Sequence, residues 1–375
     1  MMRVGVLSRQ DPYDRMTFSG TSHSMVRQLE KYFDVIWIDP STKWTNRLSR
    51  LYHRGTSGKF VLNLNPFWVS HLISDHLNRQ VEKEQIDILF NVGMSGPMVG
   101  YKAKAKVITF ADATMKQMIA HYYNISPDRR HAVHRNEAME KIAFDRSDIV
   151  MTTSDWCSQS VIQDYSIEPD KVRRVMVGAN MTITPETKSA PSGKDIHLLF
   201  VGIDPVRKGF PIAVDTVAQL NRRDPKRHYI LDVVGLSEAE GIEGDDIVFH
   251  GLLDKNKPDQ EDKLREFYRK SDLFILPTRM DTIGIVFLEA ASYGLPILTC
   301  RTGGVPEYVI DGEMGYCLDL DADGTAFADK AMELIDHPDK YEYISQRAVE
   351  RIKLEFNWNR WGEQVADIIK GMSCQ

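Results

Sequence analysis

The sequence predicts an α/β fold with two doubly wound domains, each built on a parallel sheet. Short apolar runs typical of buried strands alternate with helical segments from Arg3 to about Gly178. The segment Thr182–Lys194 breaks this alternation, because it is rich in Pro, Ser and Thr and lacks apolar periodicity, as a linker does. After it, the alternation restarts at Ile196 and continues to Val309. The architecture therefore repeats along the chain without a visible repeat of sequence.

The composition is that of a globular protein large enough for two domains. The chain has 375 residues, of which 42% are hydrophobic and 27% are charged. No run approaches the roughly 18 apolar residues that a membrane span needs, and the N-terminus reads as a first strand rather than a signal peptide. Four cysteines without paired spacing argue against a zinc site or disulfide framework and favour a reducing, cytoplasmic compartment.

Two residues of the first half follow strands at the edge where parallel sheets bind ligands. Gly20 lies near the end of a long polar loop after the strand Arg3–Leu7, and we expect this loop to face a ligand; the alternative is a plain connector. Asp112 directly follows the strand Lys106–Phe110 as a candidate polar contact or base; the alternative is that it caps the helix beginning near Met115. The other elements expected here are the strands Val35–Ile38, Ile86–Val92 and Ile149–Thr152, the helices Met25–Tyr32, Val69–Glu84 and His131–Ser147, and a helix opened by Ser154.

Aromatic and basic residues are scattered through Trp44–Trp68, which reads as irregular; the basic ones are Lys43, Arg47, Arg50, Arg54 and Lys59. Such residues can hold a peripheral protein on an anionic membrane, or they can belong to a solvated helix with a small core of its own. Residues 1–185 carry 24 Lys/Arg against 19 Asp/Glu, whereas residues 186–375 carry 23 against 34. The first half could therefore contact an anionic membrane at its inner face. No nucleic-acid partner is expected, because no binding motif appears.

Three residues with metal-ligand chemistry, His131, His134 and Glu137, share one face of a predicted helix. The segment is strongly charged, so we interpret it as an exposed helix and expect no metal site.

The chemistry of the second half centres on residues 271–309. The strand Leu273–Leu276 stops at Pro277, and Gly284 opens an apolar helix, Ile285–Tyr293, that ends at Gly294. The other elements expected in this half are the strands Ile196–Val201, Tyr229–Val234, Ile247–His250 and Pro296–Cys300, the helices Gly209–Asn221 and Lys263–Lys270, a helix from about Pro306, and two helices in the tail Tyr341–Gly371.

Two carboxylates beside a helix N-terminus indicate a site for a sugar joined to a nucleotide. Asp281 lies in the loop before the helix, and Glu289 lies on the helix. The amides at the helix start suit an anion such as a phosphate; they belong to Ile283, Gly284, Ile285 and Val286. The alternative is that Glu289 is only a paired structural residue.

A basic pair, Arg207 and Lys208, follows the strand Ile196–Val201 and precedes a helix. Cations are disfavoured near a helix N-terminus, so a merely solvated pair is a weak explanation. Two adjacent cations at a ligand-binding edge can instead neutralise a leaving diphosphate.

These motifs resemble the signature of the retaining glycosyltransferases of family 4, group 1 glycosyltransferases with the GT-B fold. PTRMDTIGIVFLEAASYGLPILT and TGGVPEYVIDGEMGY are similar to the family's E-x7-E region, with Asp281 in place of the first Glu and Glu289 as the second. LLFVGIDPVRKGF is similar to its strand-to-loop segment, SDIVMTTSDWCSQSVI and VRRVMVGAN to the end of its first domain, and FNWNRWGEQV to its closing helix. The resemblance is strong from Asp195 to Leu318 and loose before about Asp145.

The resemblance implies two Rossmann-like domains that face a central cleft. Residues 1–183 would form the acceptor-binding domain and residues 195–357 the nucleotide-sugar-binding domain. Residues 358–375 would form a helix that crosses back to the first domain, with Trp358 and Trp361 as anchors.

The resemblance also implies a role for each matched residue. Arg207 and Lys208 would stabilise the leaving diphosphate, Asp281 would contact the donor sugar, and Glu289 would bind the ribose hydroxyls. Asp112 stands where many members have His, and would contact the donor sugar or the acceptor. The remaining donor-binding positions would be Gly20, Gly251, Leu252, Ile283, Gly284, Ile285 and Val286, with the base near His250. Many members also have Arg where this chain has Ile203, which leaves Arg207 to supply that charge.

The function implied is retaining transfer of a sugar from a UDP- or GDP-sugar to a hydroxyl of a saccharide or lipid-linked acceptor. Polysaccharide, lipopolysaccharide or glycolipid biosynthesis would use such a reaction. The leaving phosphate would accept the acceptor proton, so neither a metal nor a cofactor is expected. The alternatives are a non-catalytic nucleotide-sugar-binding protein and another GT-B enzyme, such as a nucleotide-sugar epimerase. A nicotinamide-dependent dehydrogenase is disfavoured, since no G-x-G-x-x-G follows Leu7 or Val201.

Overall fold

The computed structural model describes residues 1–55, 65–121, 130–237 and 246–373. The chain divides into two compact units, one formed by Met1–Met176 with Trp361–Gln375 and the other by Val177–Arg360. Each unit contains a six-stranded sheet with parallel strand pairing. The predicted α/β fold with two parallel sheets is therefore confirmed. No helix in the described ranges is long and apolar enough to cross a bilayer.

The first sheet contains six strands: β1 (Arg3–Leu7), β2 (Asp34–Ile38), β3 (Ile88–Val92), β4 (Lys106–Ala111), β5 (Ile149–Thr152) and β6 (Val172–Arg174). Their order across the sheet is β2-β1-β3-β4-β5-β6. The central strands β3 and β4 are almost wholly buried, as expected of a parallel sheet covered on both faces. Because the strands are parallel, their carboxyl ends meet at one edge, where loops can form a binding site.

The helices of this unit are α1 (Thr21–Leu29), α2 (Lys43–Gly55), α3 (Phe67–Lys83), α4 (Met115–His121), α5 (Arg130–Arg146) and α6 (Asp155–Tyr165). As predicted, Ser154 opens α6, and its Oγ accepts a hydrogen bond from the amide of Cys157 at 3.1 Å.

Two sequence predictions for this unit are wrong in their details. The α1 helix begins at Thr21 rather than Met25, because Gly20 adopts a left-handed conformation, φ 88°, and serves as its N-cap. Much of the segment predicted to be irregular is the helix α2. Thr42 caps α2, since its Oγ1 accepts a hydrogen bond from the amide of Thr45 at 3.0 Å. Lys59 and the side chain of Arg54 lie outside the described residues.

The second sheet contains β7 (Asp195–Val201), β8 (His228–Val234), β9 (Ile247–Phe249), β10 (Leu273–Leu276), β11 (Ile297–Cys300) and β12 (Gly315–Leu318). Their order is β12-β11-β10-β7-β8-β9, which places β10 and β7 side by side at the centre. The loops that follow these two strands are therefore neighbours at the carboxyl edge.

The remaining helices are α7 (Phe210–Arg223), α8 (Pro258–Lys270), α9 (Ile285–Ser292), α10 (Gly324–Asp336), α11 (Pro338–Leu354) and α12 (Trp358–Ser373). The helix expected from Pro306 is only a 3₁₀ turn, Val305–Glu307. Neither β12 nor α10 was predicted. The signal for α10 was Asp323, whose carboxylate accepts a hydrogen bond from the amide of Ala326 at 3.0 Å.

The segment Thr182–Lys194 has no helix or strand, but it packs on the second unit. The amide of Glu186 donates to the carbonyl oxygen of Ser292 at 3.0 Å. The amide of Lys188 donates to the Oγ of Ser345 at 2.7 Å. This part of the chain is thus held in place by hydrogen bonds within its own unit.

The two tryptophans at the start of α12 have different surroundings. Within the second unit, Trp358 Nε1 donates to the side-chain oxygen of Asn180 at 3.1 Å. Within the first unit, Trp361 is fully buried and meets the ring of Phe90 edge-on, with 6.1 Å between the ring centroids. Both therefore anchor the final helix.

Candidate functional site

Two loops at the carboxyl edge of the second sheet hold Arg207 and Asp281 close together. The loop after β7 carries Arg207 and the loop after β10 carries Asp281. The amide of Arg279 donates to the carbonyl oxygen of Arg207 at 2.7 Å, which ties the loops together. Gly209, at φ 68°, approaches the second loop so closely that a Cβ would lie 2.0 Å from the carbonyl oxygen of Pro277. Only glycine fits at this position.

Lys208 and Asp281 form an ion pair between Nζ and Oδ2 in these loops. Their side chains are only 12% and 11% exposed, respectively. Both charges are therefore largely removed from water, and each depends on the other for compensation. The structure thus brings together two residues that the sequence singled out in separate motifs.

The guanidinium of Arg207 lies at the same edge and is more accessible. Its Nη1 donates to the carbonyl oxygen of Met280 at 3.1 Å, and its Nε lies 3.4 Å from Asp204 Oδ2. The side chain remains 26% exposed. A second positive charge is therefore held beside the Lys208–Asp281 pair.

The N-terminus of α9 follows directly after this charged group. Gly284, at φ 70°, is its N-cap, and the helix itself begins at Ile285. Its first turn contains no acidic residue, so the positive end of the helix dipole is not offset by a side chain of that turn. Ile283 precedes the cap, and so the helical amides of the predicted set belong to Ile285 and Val286.

A glycine-rich turn packs against the loop that precedes α9. The amide of Gly304 donates to the carbonyl oxygen of Thr282 at 2.7 Å. Gly303 has φ 54°, and a Cβ on it would lie 2.0 Å from the carbonyl oxygen of Asp281. These contacts fix the backbone that directly follows the Asp281 side chain.

Glu289 is fully buried on α9, and its two carboxylate oxygens have different partners. Lys255 Nζ lies 2.5 Å from Oε1, and the hydroxyl of Tyr268 donates to Oε2 at 3.0 Å. Burial and the neighbouring Glu289 charge raise the pKa of Tyr268 well above its usual value, which keeps its hydroxyl protonated as a donor. Glu289 is thus a paired residue, and any ligand must share it with Lys255.

The strand-end segment His250-Gly251-Leu252 follows β9. Gly251 is left-handed, at φ 69°, and a Cβ at this position would meet no atom within 4 Å, while Leu252 is exposed. His250 Nε2 and His197 Nδ1 each lie 2.7 Å from a different oxygen of Asp232. Burial alone would raise the pKa of Asp232, but these two hydrogen bonds hold it below its usual value. The segment predicted to bind the nucleotide base is therefore supported by the buried carboxylate of Asp232, which contacts His250.

A cavity of about 650 Å³ lies at the carboxyl edge of the first sheet, where the loops after β1, β3 and β4 meet. Asp112 is among its lining residues. The alternative role of Asp112 as the cap of α4 is wrong, because Thr114 Oγ1 accepts the hydrogen bond from the amide of Gln117, at 3.2 Å. Gly20 is not in the lining, although the preceding Phe18 is.

Glu140 lies in the wall of the same cavity and was not predicted. It is 9% exposed, and its Oε2 accepts a hydrogen bond from the amide of Met115 at 2.7 Å. Burial raises the pKa of Glu140 to about 7, with the hydrogen bonds from Tyr165 and Met115 opposing that rise. A carboxyl group that titrates near neutrality therefore lies beside the cavity.

The structure places the predicted site residues in two sets. Gly20 and Asp112 belong to the first unit, and the other predicted residues belong to the second. Lys255 and Tyr268 were missed because their contacts with Glu289 span 34 and 21 residues of sequence, respectively. A buried Glu in an apolar helix was the only signal that such partners exist. His134 and Glu137 contact each other at 3.3 Å, and the described residues contain no group of three side chains placed to hold a metal ion.

Each unit thus contains a parallel six-stranded sheet, and a charged cluster lies at the strand ends of the second. Residues 195–337 match the family described as Glycosyl transferases group 1. Among solved structures, the sucrose-phosphate synthase of Thermosynechococcus elongatus has a TM-score of 0.70 at 15% identity and covers 100% of both chains. Anabaena Alr3699/HepE, solved in complex with UDP, has a TM-score of 0.67 at 13% identity, covering 99% of this chain and 100% of that one. The GT-B architecture and the resemblance to group 1 glycosyltransferases are confirmed.

Among characterised relatives, the chain is similar to the D-inositol 3-phosphate glycosyltransferase of Corynebacterium efficiens. The two are 26% identical over 248 residues, which cover 61% of this chain and 58% of that relative. The chain thus matches little more than half the length of this relative.

Proposed function

We propose that the chain is a retaining glycosyltransferase that moves a sugar from a UDP- or GDP-sugar to a hydroxyl of a saccharide or lipid-linked acceptor. The observation that carries the proposal is the pairing of Lys208 with Asp281 beside the N-terminus of α9. Polysaccharide, lipopolysaccharide or glycolipid biosynthesis would use this reaction. The similarity to relatives that act on phosphorylated inositol, and to a structure that holds UDP, supports it.

The donor diphosphate would occupy the N-terminus of α9, where the amides of Ile285 and Val286 and the helix dipole favour an anion. Arg207 and Lys208 would then face the phosphate that carries the sugar. As the bond between the sugar and the phosphate breaks, negative charge grows on the phosphate oxygen, and these two cations would stabilise it. Ion pairing with Asp281 holds the Lys208 side chain in position before the donor binds.

The acidic residues would recognise hydroxyl groups of the donor. Asp281 would accept hydrogen bonds from the sugar. Glu289 would accept them from the ribose, since a carboxylate has about four lone-pair sites and Lys255 and Tyr268 occupy two. Lys255, held at 2.5 Å from Glu289, would then be a positioning residue for that carboxylate.

The acceptor would lie in the cavity of the first unit, with its nucleophilic hydroxyl near Asp112. Attack would occur on the face from which the phosphate departs, which retains the anomeric configuration. The leaving phosphate oxygen would take the proton of the attacking hydroxyl. Arg207 and Lys208 would carry out the charge stabilisation that a divalent ion provides in other transferases, so the proposed mechanism is metal-independent.

Release of the nucleoside diphosphate tests this proposal against a non-catalytic binder. We expect slow donor hydrolysis without acceptor and faster release with a suitable one, and the loss of both in Lys208→Ala. Binding of a sugar nucleotide without any release, with acceptor-containing extracts included, would instead support the binding protein. Retention would be checked by NMR of the product's anomeric proton, and inversion would refute that part of the proposal.

An exposed aromatic and basic surface supports peripheral membrane contact by the first unit. Trp44 and Leu51 on α2 and Trp68 on α3 are exposed, and α2 contains Arg47 but no acidic residue. Such a surface suits an anionic bilayer. Co-sedimentation with phosphatidylglycerol vesicles but not with phosphatidylcholine vesicles is expected, and Trp44→Ser should reduce it. Equal behaviour on both lipids would contradict this contact.

A further inference from the structure

A second cavity, of about 350 Å³, adjoins the first one at the carboxyl edge of the first sheet. Six polar residues line it: Arg9, Asp39, Ser41, Asn46, Ser49 and Arg50. Arg9 follows β1, Asp39 follows β2, and the last three lie on α2. The larger cavity lies over β1, β3 and β4, and Arg9 lines both cavities. Since β2, β1, β3 and β4 are consecutive in the sheet, one elongated ligand could occupy both.

The chemistry of the smaller cavity favours an anion. It contains two guanidinium groups and one carboxylate. The Asp39 Oδ1 accepts a hydrogen bond from the amide of Ser41 at 2.8 Å, so this carboxylate supports its own turn. Within residues 1–55, 65–121, 130–237 and 246–373, neither Arg9 nor Arg50 is in an ion pair, and both are exposed. Arginine is the side chain best suited to bind a phosphate through two parallel hydrogen bonds.

The larger cavity has a different character. Asp112 and Glu140 are among its lining residues, and Met115, Met118 and Phe18 contribute apolar surface. Carboxylates and apolar faces suit the hydroxyls and the ring of a sugar rather than a phosphate. The two neighbouring cavities therefore select for different chemical groups.

We propose that the acceptor is a saccharide bearing a phosphate ester, with the phosphate held between Arg9 and Arg50 and the sugar lying in the adjoining cavity beside Asp112. This inference rests on the proposed transferase function, and it adds the chemical class of the acceptor. The phosphate could belong to a soluble sugar phosphate or to a lipid-linked one. Both sources present the same group to the two arginines.

The helix α2 offers a matched control for the test. Asn46, Ser49 and Arg50 lie on the face that lines the cavity, whereas Arg47 is exposed and is not in the lining. Arg50→Gln and Arg47→Gln remove the same charge from the same helix, three residues apart. Long-range electrostatic effects should be equal in the two variants, but a direct contact with phosphate should be lost in only one.

The test measures binding of glucose 6-phosphate and of glucose to the full chain by calorimetry. We expect glucose 6-phosphate to bind more tightly than glucose, Arg50→Gln and Arg9→Gln each to weaken it at least about tenfold, and Arg47→Gln to change it less than about twofold. In a second arm, phosphatidylcholine vesicles containing undecaprenyl phosphate glucose, a saccharide joined to the lipid through a phosphate, replace the soluble sugar. Loss on Arg50→Gln in that arm alone assigns the phosphate to a lipid.

The proposal is overturned if phosphate gives no advantage in either arm, or if Arg47→Gln and Arg50→Gln weaken the binding of glucose 6-phosphate equally. UDP binding is measured on the same samples by thermal shift. The arginine variants should retain it, because Arg9 and Arg50 belong to the other unit. Absence of UDP and GDP binding in the wild-type protein would refute the proposed donor site, while the comparison of Arg50 with Arg47 would still be interpretable.

Discussion

The carboxyl edges of the two sheets are built differently. In the second unit the polar side chains are buried and paired, as in Lys208 with Asp281 and Lys255 with Glu289. In the first unit the same edge carries two open cavities, and Arg9 and Phe18 in their walls are exposed. When ion pairs and hydrogen bonds already hold the charged groups of a site in position, little reorganisation free energy is needed as charge develops during a reaction. The charged groups at the strand ends of the second unit are therefore preorganised, whereas the corresponding edge of the first unit is open to solvent.

The largest expected effect comes from the basic pair of the second unit. Lys208→Ala should reduce turnover by about a hundredfold or more, and Arg207→Ala by about a hundredfold. Lys208→Ala should also lower the free energy of unfolding by about 3 kcal/mol, because it leaves the Asp281 carboxylate buried without its partner. Steady-state kinetics and urea unfolding measure the two quantities.

The control for these variants is Lys226→Ala, which removes an exposed lysine from the same unit. It should change neither turnover nor unfolding. Near-normal turnover in both Arg207→Ala and Lys208→Ala would contradict the roles assigned to these residues. It would also contradict the inference that the carboxyl edge of the second sheet is preorganised.

The next effect concerns Glu140, the buried acid of the first unit. Its folded-state pKa, about 7, lies above its usual value of 4.5. The folded protein therefore binds the proton more tightly than the unfolded chain does. Protonation of Glu140 therefore adds about 3 kcal/mol to the free energy of unfolding. This contribution is fully present below pH 4.5 and is lost as the pH rises to about 7.

Urea unfolding of the wild type and Glu140→Gln from pH 5 to pH 8 checks this prediction. The wild type should lose stability relative to Glu140→Gln as the pH rises through this range. The difference between the two proteins isolates Glu140 from other titrating groups such as Asp272. A constant difference would mean that the Glu140 carboxyl is already ionised at pH 5.

A smaller effect tests how tightly the loops of the second unit are packed. Gly251→Ala should lower the free energy of unfolding by about 1 kcal/mol, since only the positive φ opposes the new methyl group. Gly209→Ala should cost about 2 kcal/mol more, because its Cβ also meets the carbonyl oxygen of Pro277. Urea unfolding measures both changes. Equal losses of unfolding free energy in the two variants would show that the loop at Gly209 moves to accommodate the methyl group and is not preorganised.

The smallest expected effect is that of chelation. The proposed mechanism assigns the neutralisation of the leaving diphosphate to Arg207 and Lys208. EDTA should therefore leave turnover unchanged within experimental error. A loss of activity on EDTA, restored by added Mg²⁺ or Mn²⁺, would refute metal-independent transfer.

The strands around the candidate donor site could be predicted from the sequence. The strand Leu273–Leu276 was predicted to the residue, and α9 begins at Ile285 as expected, because Pro277, Gly284 and Gly294 mark the boundaries. Asp281, Lys208 and Arg207 were also identified, since each is a charge placed directly at a strand-to-helix loop.

Features that depend on distant contacts could not be predicted. Lys255 is an ordinary loop lysine until the fold brings it to Glu289. The cavity between Arg9 and Arg50 forms only where β1, β2 and α2 meet. The bounds of α2 could not be predicted: the segment was interpreted as irregular, with a solvated helix as the alternative, and the start of the helix depends on the side chain of Thr42.

Binding of sugar nucleotides tests the central claim most directly. Thermal unfolding would be followed with UDP-, GDP- and ADP-sugars for the wild type and for Lys208→Ala. At a hundred times the dissociation constant, a donor should stabilise the wild type by about 2.7 kcal/mol and raise its Tm by about 3 °C or more. The shift should be clearly smaller for Lys208→Ala. No shift with any of these donors, or equal shifts in the two proteins, would contradict a donor site at the carboxyl edge of the second sheet.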